Sequence, residues 1–252
     1  MNLILDIGNT FMKAALYDGR QRVDGRKWGG EDFGQLRRYA LEARPEACAF
    51  ATVGKGAEDV RRALEGIVES TLAVTGLTPT PLSIAYETPA TLGADRLAAA
   101  VGAAALRPGS ELLIIDAGSC MTIDRVTADR RYLGGNISPG LEMRLKAMHT
   151  LTARLPLADM DGAVPQWGRN TAEALRSGAL TGIRGEADSY LRRFFAEQAG
   201  DNAFAFLTGG DACRLDTQPY GGRAIIEPRL VEIGLAEILM FNATPFLERS
   251  FG

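Results

Sequence analysis

The sequence has few of the side chains that most often carry covalent or metal chemistry. It contains one histidine, His149, and three widely spaced cysteines with no CxxC pair, Cys48, Cys120 and Cys213. Neither a disulfide framework nor a zinc site is therefore indicated. No Ser/His/Asp or Cys/His catalytic set can be assembled either. We expect His149 to lie on a helix surface and the cysteines to be reduced thiols.

Excess positive charge and long apolar runs are also lacking. The 252 residues carry 28 Lys and Arg against 31 Asp and Glu, a formal net charge of −3. Such a chain has no long-range attraction to nucleic acid or to an anionic membrane. No stretch approaches the roughly 18 apolar residues of a membrane helix, and Met1–Leu5 resembles no targeting signal. We therefore predict a cytoplasmic protein without nucleic-acid or membrane partners.

Apolar β-favouring runs alternate with helical patterns along the chain, which predicts an α/β fold with mixed sheets. The predicted strands are Leu3–Asp6, Met12–Tyr17, Ala47–Val53, Leu112–Asp116, Met121–Val126, Ala203–Thr208 and Ala224–Ile226. The predicted helices are Glu31–Ala43, Ala57–Ser70, Ala94–Leu106, Leu141–Leu155, Thr171–Gln198 and Arg229–Phe241. At roughly 100 to 200 residues per domain, this length allows one large domain or two small ones.

Two segments 110 residues apart resemble each other. Leu3–Thr10 reads LILDIGNT, and Leu113–Cys120 reads LIIDAGSC. Each is an aliphatic strand that ends in Asp-x-Gly and a small polar residue and is followed by a second predicted strand. This echo predicts two similar halves. The turn Arg107–Ser110 separates them, which gives predicted domains of 1–109 and 110–252.

Each copy of the echo predicts a β-hairpin whose turn faces a phosphate group. In the first copy, Gly8 allows close backbone approach, and the turn amides and the Thr10 hydroxyl can donate to phosphate oxygens. Lys13 adds positive charge, and Asp6 can hold a hydrated Mg²⁺. One such turn is a common structural device, but the pair indicates a nucleotide clamp. The GxxxxGK[ST] phosphate loop is absent, and Lys55 is interpreted as part of a strand-to-helix turn.

A third motif, Gly93–Arg96, begins the helix of small residues that follows it. Asp95 in a first turn can simply stabilise a helix. With Arg96 beside it, Asp95 has a second interpretation, as part of a kinase-like substrate site. There the carboxylate would accept a hydroxyl proton and the guanidinium would bind a substrate carboxylate.

Three further segments each allow two interpretations. Thr208–Asp211 is either a plain loop or a glycine loop that passes close to adenine. Gly134–Gly140 is either a plain turn or the lining of a cleft. The apolar stripe of the helix Leu141–Leu155 is suited either to core packing or to a subunit interface.

Together these motifs resemble the type III pantothenate kinases, in the same order and spacing over nearly the whole chain. The motifs are Asp6–Thr10, Gly93–Arg96, Asp116–Ser119, Gly135–Gly140, Asn170–Thr171 and Thr208–Gly210. That family belongs to the acetate and sugar kinase, heat-shock protein and actin superfamily. The resemblance therefore implies an α/β fold of two ribonuclease H-like domains, with mixed β-sheets flanked by helices and an ATP cleft between them.

The resemblance also implies an activity, the ATP-dependent phosphorylation of pantothenate to 4'-phosphopantothenate, the first step of coenzyme A biosynthesis. Asp95 would be the catalytic proton acceptor, Asp116 would bind K⁺ or NH₄⁺, and Asp6 would bind Mg²⁺. Residues implied to bind ATP are Asp6, Ile7, Gly8, Asn9, Thr10, Phe11, Met12, Lys13 and Ser119. Residues implied to bind pantothenate are Tyr86, Gly93, Ala94, Asp95, Arg96 and Thr171. Family members are homodimers with the substrate site at the subunit interface.

Two positions depart from the family pattern. Ser119 stands where threonine is usual and keeps the hydroxyl, whereas Ala51–Val53 replaces a Ser-Ser-Val stretch. Two other functions also stay open. A sugar or acid kinase or phosphatase of the same superfamily would tolerate changes at Tyr86, Arg96 and Thr171. A regulator of transcription with the same fold would need neither Asp95 nor both phosphate motifs.

Overall fold

The structure, a computed structural model, describes residues 1–8, 10–30, 32–52, 56–198 and 200–243. Their contacts group the chain into two compact units, one of residues 1–109, 129–133 and 229 onward and the other of residues 110–128 and 134–228. The chain therefore crosses between the units four times. The domain division 1–109 and 110–252 stays a prediction. The contacts differ from it in placing the last helix with the first unit.

Helices and strands alternate along both units. The strands are β1 Asn2–Ile7, β2 Phe11–Asp18, β3 Gln21–Gly29, β4 Ala47–Thr52, β5 Ser70–Ala73, β6 Ser83–Ile84, β7 Glu111–Ala117, β8 Cys120–Val126, β9 Arg131–Pro139, β10 Ala203–Thr208 and β11 Ala224–Ile226. The helices are α1 Phe33–Ala43, α2 Ala57–Leu64, α3 Ala94–Leu106, α4 Leu141–Thr150, α5 Thr171–Glu197 and α6 Leu230–Ala243. Short 3₁₀ helices cover Pro89–Thr91, Ala212–Arg214 and Gln218–Arg223.

The first unit is built on a five-stranded sheet in the order β3-β2-β1-β4-β5. β1, β2 and β3 are antiparallel, whereas β4 runs parallel to β1 and to β5. Successive side chains of a strand point to opposite faces, and both faces of β1 are buried. Leu3 and Leu5 pack with α1 and α2, while α6 contacts β1 and β4. β6 pairs with Arg131 and Tyr132 of β9, which belong to the same unit.

Helices α3 and α6 pack backbone to backbone at two glycines. A Cβ at Gly102 of α3 would lie 2.3 Å from the Leu230 carbonyl oxygen. A Cβ at Gly234 of α6 would lie 1.7 Å from the Ala98 carbonyl oxygen. Both distances are far inside van der Waals contact, so only glycine permits this approach. The small residues of α3 thus fix this helix, whose first turn carries Asp95, closely against α6.

The second unit is built on the strands β11-β10-β7-β8-β9 in that order. β7 and β8 form an antiparallel hairpin, and β10 runs parallel to β7 and to β11. The core places Leu113 and Ile115 of β7 against Leu141 of α4 and Ile183 and Phe194 of α5. α5 begins at a side-chain cap, because Asn170 Oδ1 accepts a hydrogen bond from the Glu173 amide over 3.0 Å.

Both predicted hairpins are confirmed. In the first, Asp6 of β1 lies directly opposite Lys13 of β2. In the second, Asp116 of β7 lies opposite Thr122 of β8. His149 is exposed near the end of α4, as predicted, and its Nδ1 lies 2.8 Å from the Leu155 carbonyl oxygen.

Two helix predictions extend too far. The predicted helix Ala57–Ser70 ends at Leu64, because Gly66 adopts a positive φ of 72° and Ser70 opens the strand β5. The predicted helix Leu141–Leu155 ends at Thr150. Its apolar stripe mostly packs in the core of the second unit, but Leu151 is 81% exposed.

Four strands, β3, β5, β6 and β9, are absent from the prediction. β3 is a polar edge strand that pairs with β2, so it lacks an apolar alternation. The sequence predicts a turn or a cleft lining at Gly134–Gly140, but residues up to Pro139 belong to β9. A Cβ at Gly135 would lie 1.7 Å from the Ile123 carbonyl oxygen, so this glycine permits close strand approach.

Some predictions fall on residues outside the described ranges, namely Asn9 in the first phosphate motif, Glu31 at a helix start and Val53–Lys55. The cysteines are free thiols, and burial raises the pKa of Cys48 well above its usual range. None of the helices in the described residues has both the length and the apolar composition of a membrane span.

Candidate active site

The first hairpin brings a carboxylate and an ammonium group together next to its turn. Lys13 Nζ lies 3.1 Å from Asp6 Oδ2, and both side chains are partly exposed. Ile7 and Met12 alternate with them and are buried in the core, so only their backbone groups can reach a ligand. The Gly8 amide donates to the Phe11 carbonyl oxygen over 3.1 Å.

Two residues extend this hairpin surface onto β3. Lys27 lies opposite Lys13 in the β2–β3 register. Its ammonium group lies 3.7 Å from the centre of the Phe11 ring, and Phe11 is 41% exposed. Asp6, Lys13, Lys27 and Phe11 therefore share one face of the sheet, with two lysines against one carboxylate. Thr10 is exposed in the turn and its carbonyl accepts the Gly30 amide over 2.9 Å.

Asp95 occupies the first turn of α3, with its carboxylate fixed by the local backbone. Asp95 Oδ1 accepts the Arg96 amide over 2.8 Å. Gly93 is the N-cap residue, and a Cβ there would lie 2.5 Å from Asp95 Oδ1. Any larger residue at position 93 would clash with the Asp95 carboxylate, so glycine is required just before α3 begins at Ala94. Oδ2 has no hydrogen-bond partner within the described residues.

Arg96 belongs to a stack of two tyrosines and a guanidinium group. Its side chain is 6% exposed, and its guanidinium carbon lies 5.7 Å from the centre of the Tyr86 ring. Tyr86 in turn packs against Tyr132 of β9, with ring centroids 6.2 Å apart. The Tyr132 ring is fully buried. The structure thus places Tyr86 beside Arg96.

The second hairpin forms an oxygen-rich turn that two glycines from other elements approach closely. The parallel pairing of β7 and β10 sets Asp116 opposite Thr208, so the loop after β10 meets the Asp116–Ser119 turn. A Cβ at Gly209, where φ is 88°, would lie 2.4 Å from Asp116 Oδ1 and 2.5 Å from the Ala117 carbonyl oxygen. A Cβ at Gly140 would lie 2.2 Å from the Gly118 carbonyl oxygen.

The oxygen atoms near Asp6 and near Asp116 suit different ions. The described residues contain no cluster of three His, Cys, Asp or Glu side chains that could enclose a metal. Asp6 alone suits a Mg²⁺ that keeps waters and binds phosphate oxygens, the usual manner of that ion. Around Asp116, the Ala117 and Gly118 carbonyl oxygens lie close to Gly209 and Gly140, and oxygen donors of this kind suit a hard cation such as K⁺.

Thr171 is the first residue of α5, directly after the cap residue Asn170, and is exposed. Ser119 is exposed at the tip of the second hairpin. Within the second unit, the structure brings Gly209 against Asp116 and Gly140 against Ser119.

Two residues of these surfaces, Lys27 and Tyr132, are not predicted by any sequence motif. β3 carries no apolar alternation, so the sequence does not predict that Lys27 lies opposite Lys13. Tyr132 lies 46 residues from Tyr86, on a strand that the glycines at 134 and 135 concealed. Only strand pairing brings either residue to its partner.

Solved structures share this two-sheet α/β architecture. A protein described as a Baf family transcriptional activator from Campylobacter jejuni matches with a TM-score of 0.59 and 23% identity, over 96% of this chain and 98% of that chain. The ROK hexokinase of Thermus thermophilus matches with a TM-score of 0.51 and 16% identity, over 96% and 99%. These likenesses confirm the predicted fold class, an α/β fold with mixed sheets flanked by helices.

Sequence relatives define the family more narrowly. Residues 2–193 match the family model of the type III pantothenate kinases. The type III pantothenate kinase of Porphyromonas gingivalis is 39% identical over 244 residues, 96% of this chain and 98% of that protein. That of Bacteroides fragilis is 40% identical over 243 residues, 96% and 98%. The chain belongs to the type III pantothenate kinase family.

Proposed function

We propose that this chain transfers the γ-phosphoryl group of ATP to the 4'-hydroxyl group of pantothenate, the first step of coenzyme A biosynthesis. The observation that carries the proposal is the arrangement of Asp95 beside Arg96 and Tyr86 in a member of this family. The carboxylate is fixed at Oδ1 and leaves Oδ2 to accept the hydroxyl proton. The buried guanidinium binds the pantothenate carboxylate.

The other proposed roles follow the motifs. The hairpin residues Asp6, Ile7, Gly8, Asn9, Thr10, Phe11, Met12 and Lys13 bind ATP, together with Ser119, and we add Lys27 as a second cation for the phosphates. Mg²⁺ at Asp6 and K⁺ or NH₄⁺ at Asp116 supply charge neutralisation, which phosphoryl transfer needs more than covalent catalysis. Tyr86, Gly93, Ala94, Asp95, Arg96 and Thr171 bind pantothenate, and the protein works in the cytoplasm.

The test is a mass-spectrometric assay of the purified protein with ATP, Mg²⁺ and pantothenate, run in K⁺ and again in Na⁺. We expect 4'-phosphopantothenate to form mainly in K⁺, because the Asp116 turn presents carbonyl oxygens to the cation. Asp116→Asn should reduce the difference between the two salts. No product in either salt from the folded protein would contradict the activity and favour another substrate of the superfamily or a regulatory protein.

Tyr132→Leu is expected to raise the KM for pantothenate about tenfold with little change in the KM for ATP. The substitution removes the ring that supports Tyr86, and Tyr86 in turn positions Arg96. Losing this support is expected to weaken pantothenate binding by about 1.4 kcal/mol, which corresponds to a tenfold change. Tyr132→Phe keeps the ring and is the matched control. Equal pantothenate KM values in the two variants would contradict a positioning role for this ring.

We also propose a homodimer with the pantothenate site at the interface. Support comes from large apolar side chains that the segment between α4 and α5 leaves exposed to solvent. Leu151 and Trp167 are each 81% exposed and Leu157 is 59% exposed. Such a concentration of large exposed apolar residues is typical of an interaction surface.

Trp167→Lys is therefore expected to convert a dimer of the chain to monomer in sedimentation velocity at micromolar concentration. A buried lysine charge at an apolar interface is strongly unfavourable, whereas an exposed tryptophan in a monomer tolerates the change. Leu77→Lys, at an apolar residue of the first unit that is 65% exposed, is the control. A wild-type chain that sediments as a monomer would contradict the dimer.

A further inference from the structure

The first unit contains a pocket of about 860 Å³ that no proposed substrate residue lines. It is bounded by the last turns of α3, by one side of α6 and by the turn between β2 and β3. Its apolar wall consists of Val101, Ala104, Ala105, Ile233, Met240 and Phe241. Asp95 and Val101, the pocket residue nearest to it along α3, are six residues apart, a separation of roughly 9 Å along the helix axis. The pocket is thus separate from the Asp95 site.

Positive charge predominates around this apolar wall. The described lining includes four arginines, Arg20, Arg22, Arg130 and Arg229, and one acid, Glu237. Arg20 donates to Glu237 over 2.6 and 3.0 Å. Arg22 donates over 2.7 Å to Glu232, which does not line the pocket. Four arginines therefore line one pocket of a chain whose net charge is −3.

Arg130 supplies the least compensated of these charges. It is exposed, and within the described residues its side chain makes no ion pair. Its backbone holds it in place, because its φ is 63° and its carbonyl oxygen accepts the Ser83 amide over 2.9 Å. A guanidinium presented this way offers paired donors to a carboxylate or a phosphate.

Three residues of the pocket lining, Pro108, Arg130 and Arg229, lie in the first unit. No substrate role assigned above uses any of these residues.

We propose that this pocket is a second ligand site, which binds an amphipathic organic anion with an aliphatic chain and a terminal carboxylate or phosphate. The apolar wall buries the chain, at about 25 cal/mol for each Å² of apolar surface removed from water. The arginines bind the charged end. The volume lies within the range of pockets for small organic molecules, roughly 300 to 1,000 Å³.

The test is calorimetric titration of the full chain with octyl phosphate, octanoate and octanol. We expect at least one of the two anions to bind at least tenfold more tightly than octanol, and the better anion identifies the head group. Equal binding of octanol would overturn the role of the arginines. Equal binding of inorganic phosphate and octyl phosphate would overturn the role of the apolar wall.

Variants separate this pocket from the pantothenate site, where Arg96 also attracts anions. Arg130→Asn, which suits a positive φ, should weaken binding of the better anion about tenfold. Arg44→Asn is the matched control, because Arg44 is an exposed arginine with a φ of 47° outside the pocket. Ala105→Phe places a ring in the pocket and should also weaken binding. Wild-type affinity in both Arg130→Asn and Ala105→Phe, each folded by thermal melting, would overturn the proposal.

Discussion

Asp95→Asn is expected to lower kcat by roughly 10²-fold or more, the scale of a general-base contribution, and to leave ATP binding nearly unchanged. Asparagine has the shape of aspartate and still presents an oxygen to the Arg96 amide, so the first turn of α3 is preserved. It cannot take up the hydroxyl proton. Steady-state kinetics in K⁺ with saturating pantothenate measure kcat, and calorimetry measures the affinity for ATP.

Glu87→Gln is the matched control for this variant, because it removes one negative charge from an exposed residue next to Tyr86. We expect its kcat to stay within about twofold of wild type, since long-range charge effects at an exposed site are screened by salt. Near-normal turnover in Asp95→Asn would remove Asp95 from the role of proton acceptor. A loss in which the affinity for ATP fell equally would indicate a structural fault instead.

Gly234→Ala is expected to lower the free energy of unfolding by about 3 kcal/mol, the upper range for overpacking a core. The added methyl carbon would lie 1.7 Å from the Ala98 carbonyl oxygen. Backbone atoms cannot rotate aside as a side chain can, so α3 and α6 must separate. For a protein of this size the change corresponds to a Tm lower by about 6 to 12 °C, measurable by scanning calorimetry.

Gly185→Ala is the matched control, because it is the same chemical change inside a helix. A Cβ at Gly185 of α5 meets nothing within 4 Å, so this variant should be more stable by about 0.5 to 1 kcal/mol through helix propensity. Equal behaviour of the two variants would contradict the close packing of α3 on α6. Because α3 carries Asp95 at its other end, Gly234→Ala should also reduce the activity of the folded fraction.

The two phosphate motifs show how far sequence reasoning reaches. Each hairpin could be predicted because the signal is local, an aliphatic strand followed by Asp-x-Gly and a second strand. The residue types do not reveal that the Gly8 amide donates a hydrogen bond to the Phe11 carbonyl oxygen across the turn. Hydrogen bonds across a turn depend on the exact turn geometry, which residue types alone leave open.

Asp95 and Arg96 show the same difference between what local sequence predicts and what strand pairing decides. Their place in a first turn follows from the glycine before them and the small residues after them, which are local signals. The support that Arg96 receives from Tyr86, and Tyr86 from Tyr132, depends on pairing between β6 and β9. No pattern within either segment encodes that pairing.

The sequence by itself determined the α/β class, the two hairpins, the helix that begins at Ala94 and the family resemblance, because all of these rest on residues that are neighbours along the chain. Tertiary structure alone decided that Gly102 and Gly234 bring two helices into backbone contact, that Gly209 lies against Asp116, and that four arginines surround an apolar pocket. These contacts join residues far apart in the chain. Their geometry arises from how strands and helices pack, and no local preference specifies it.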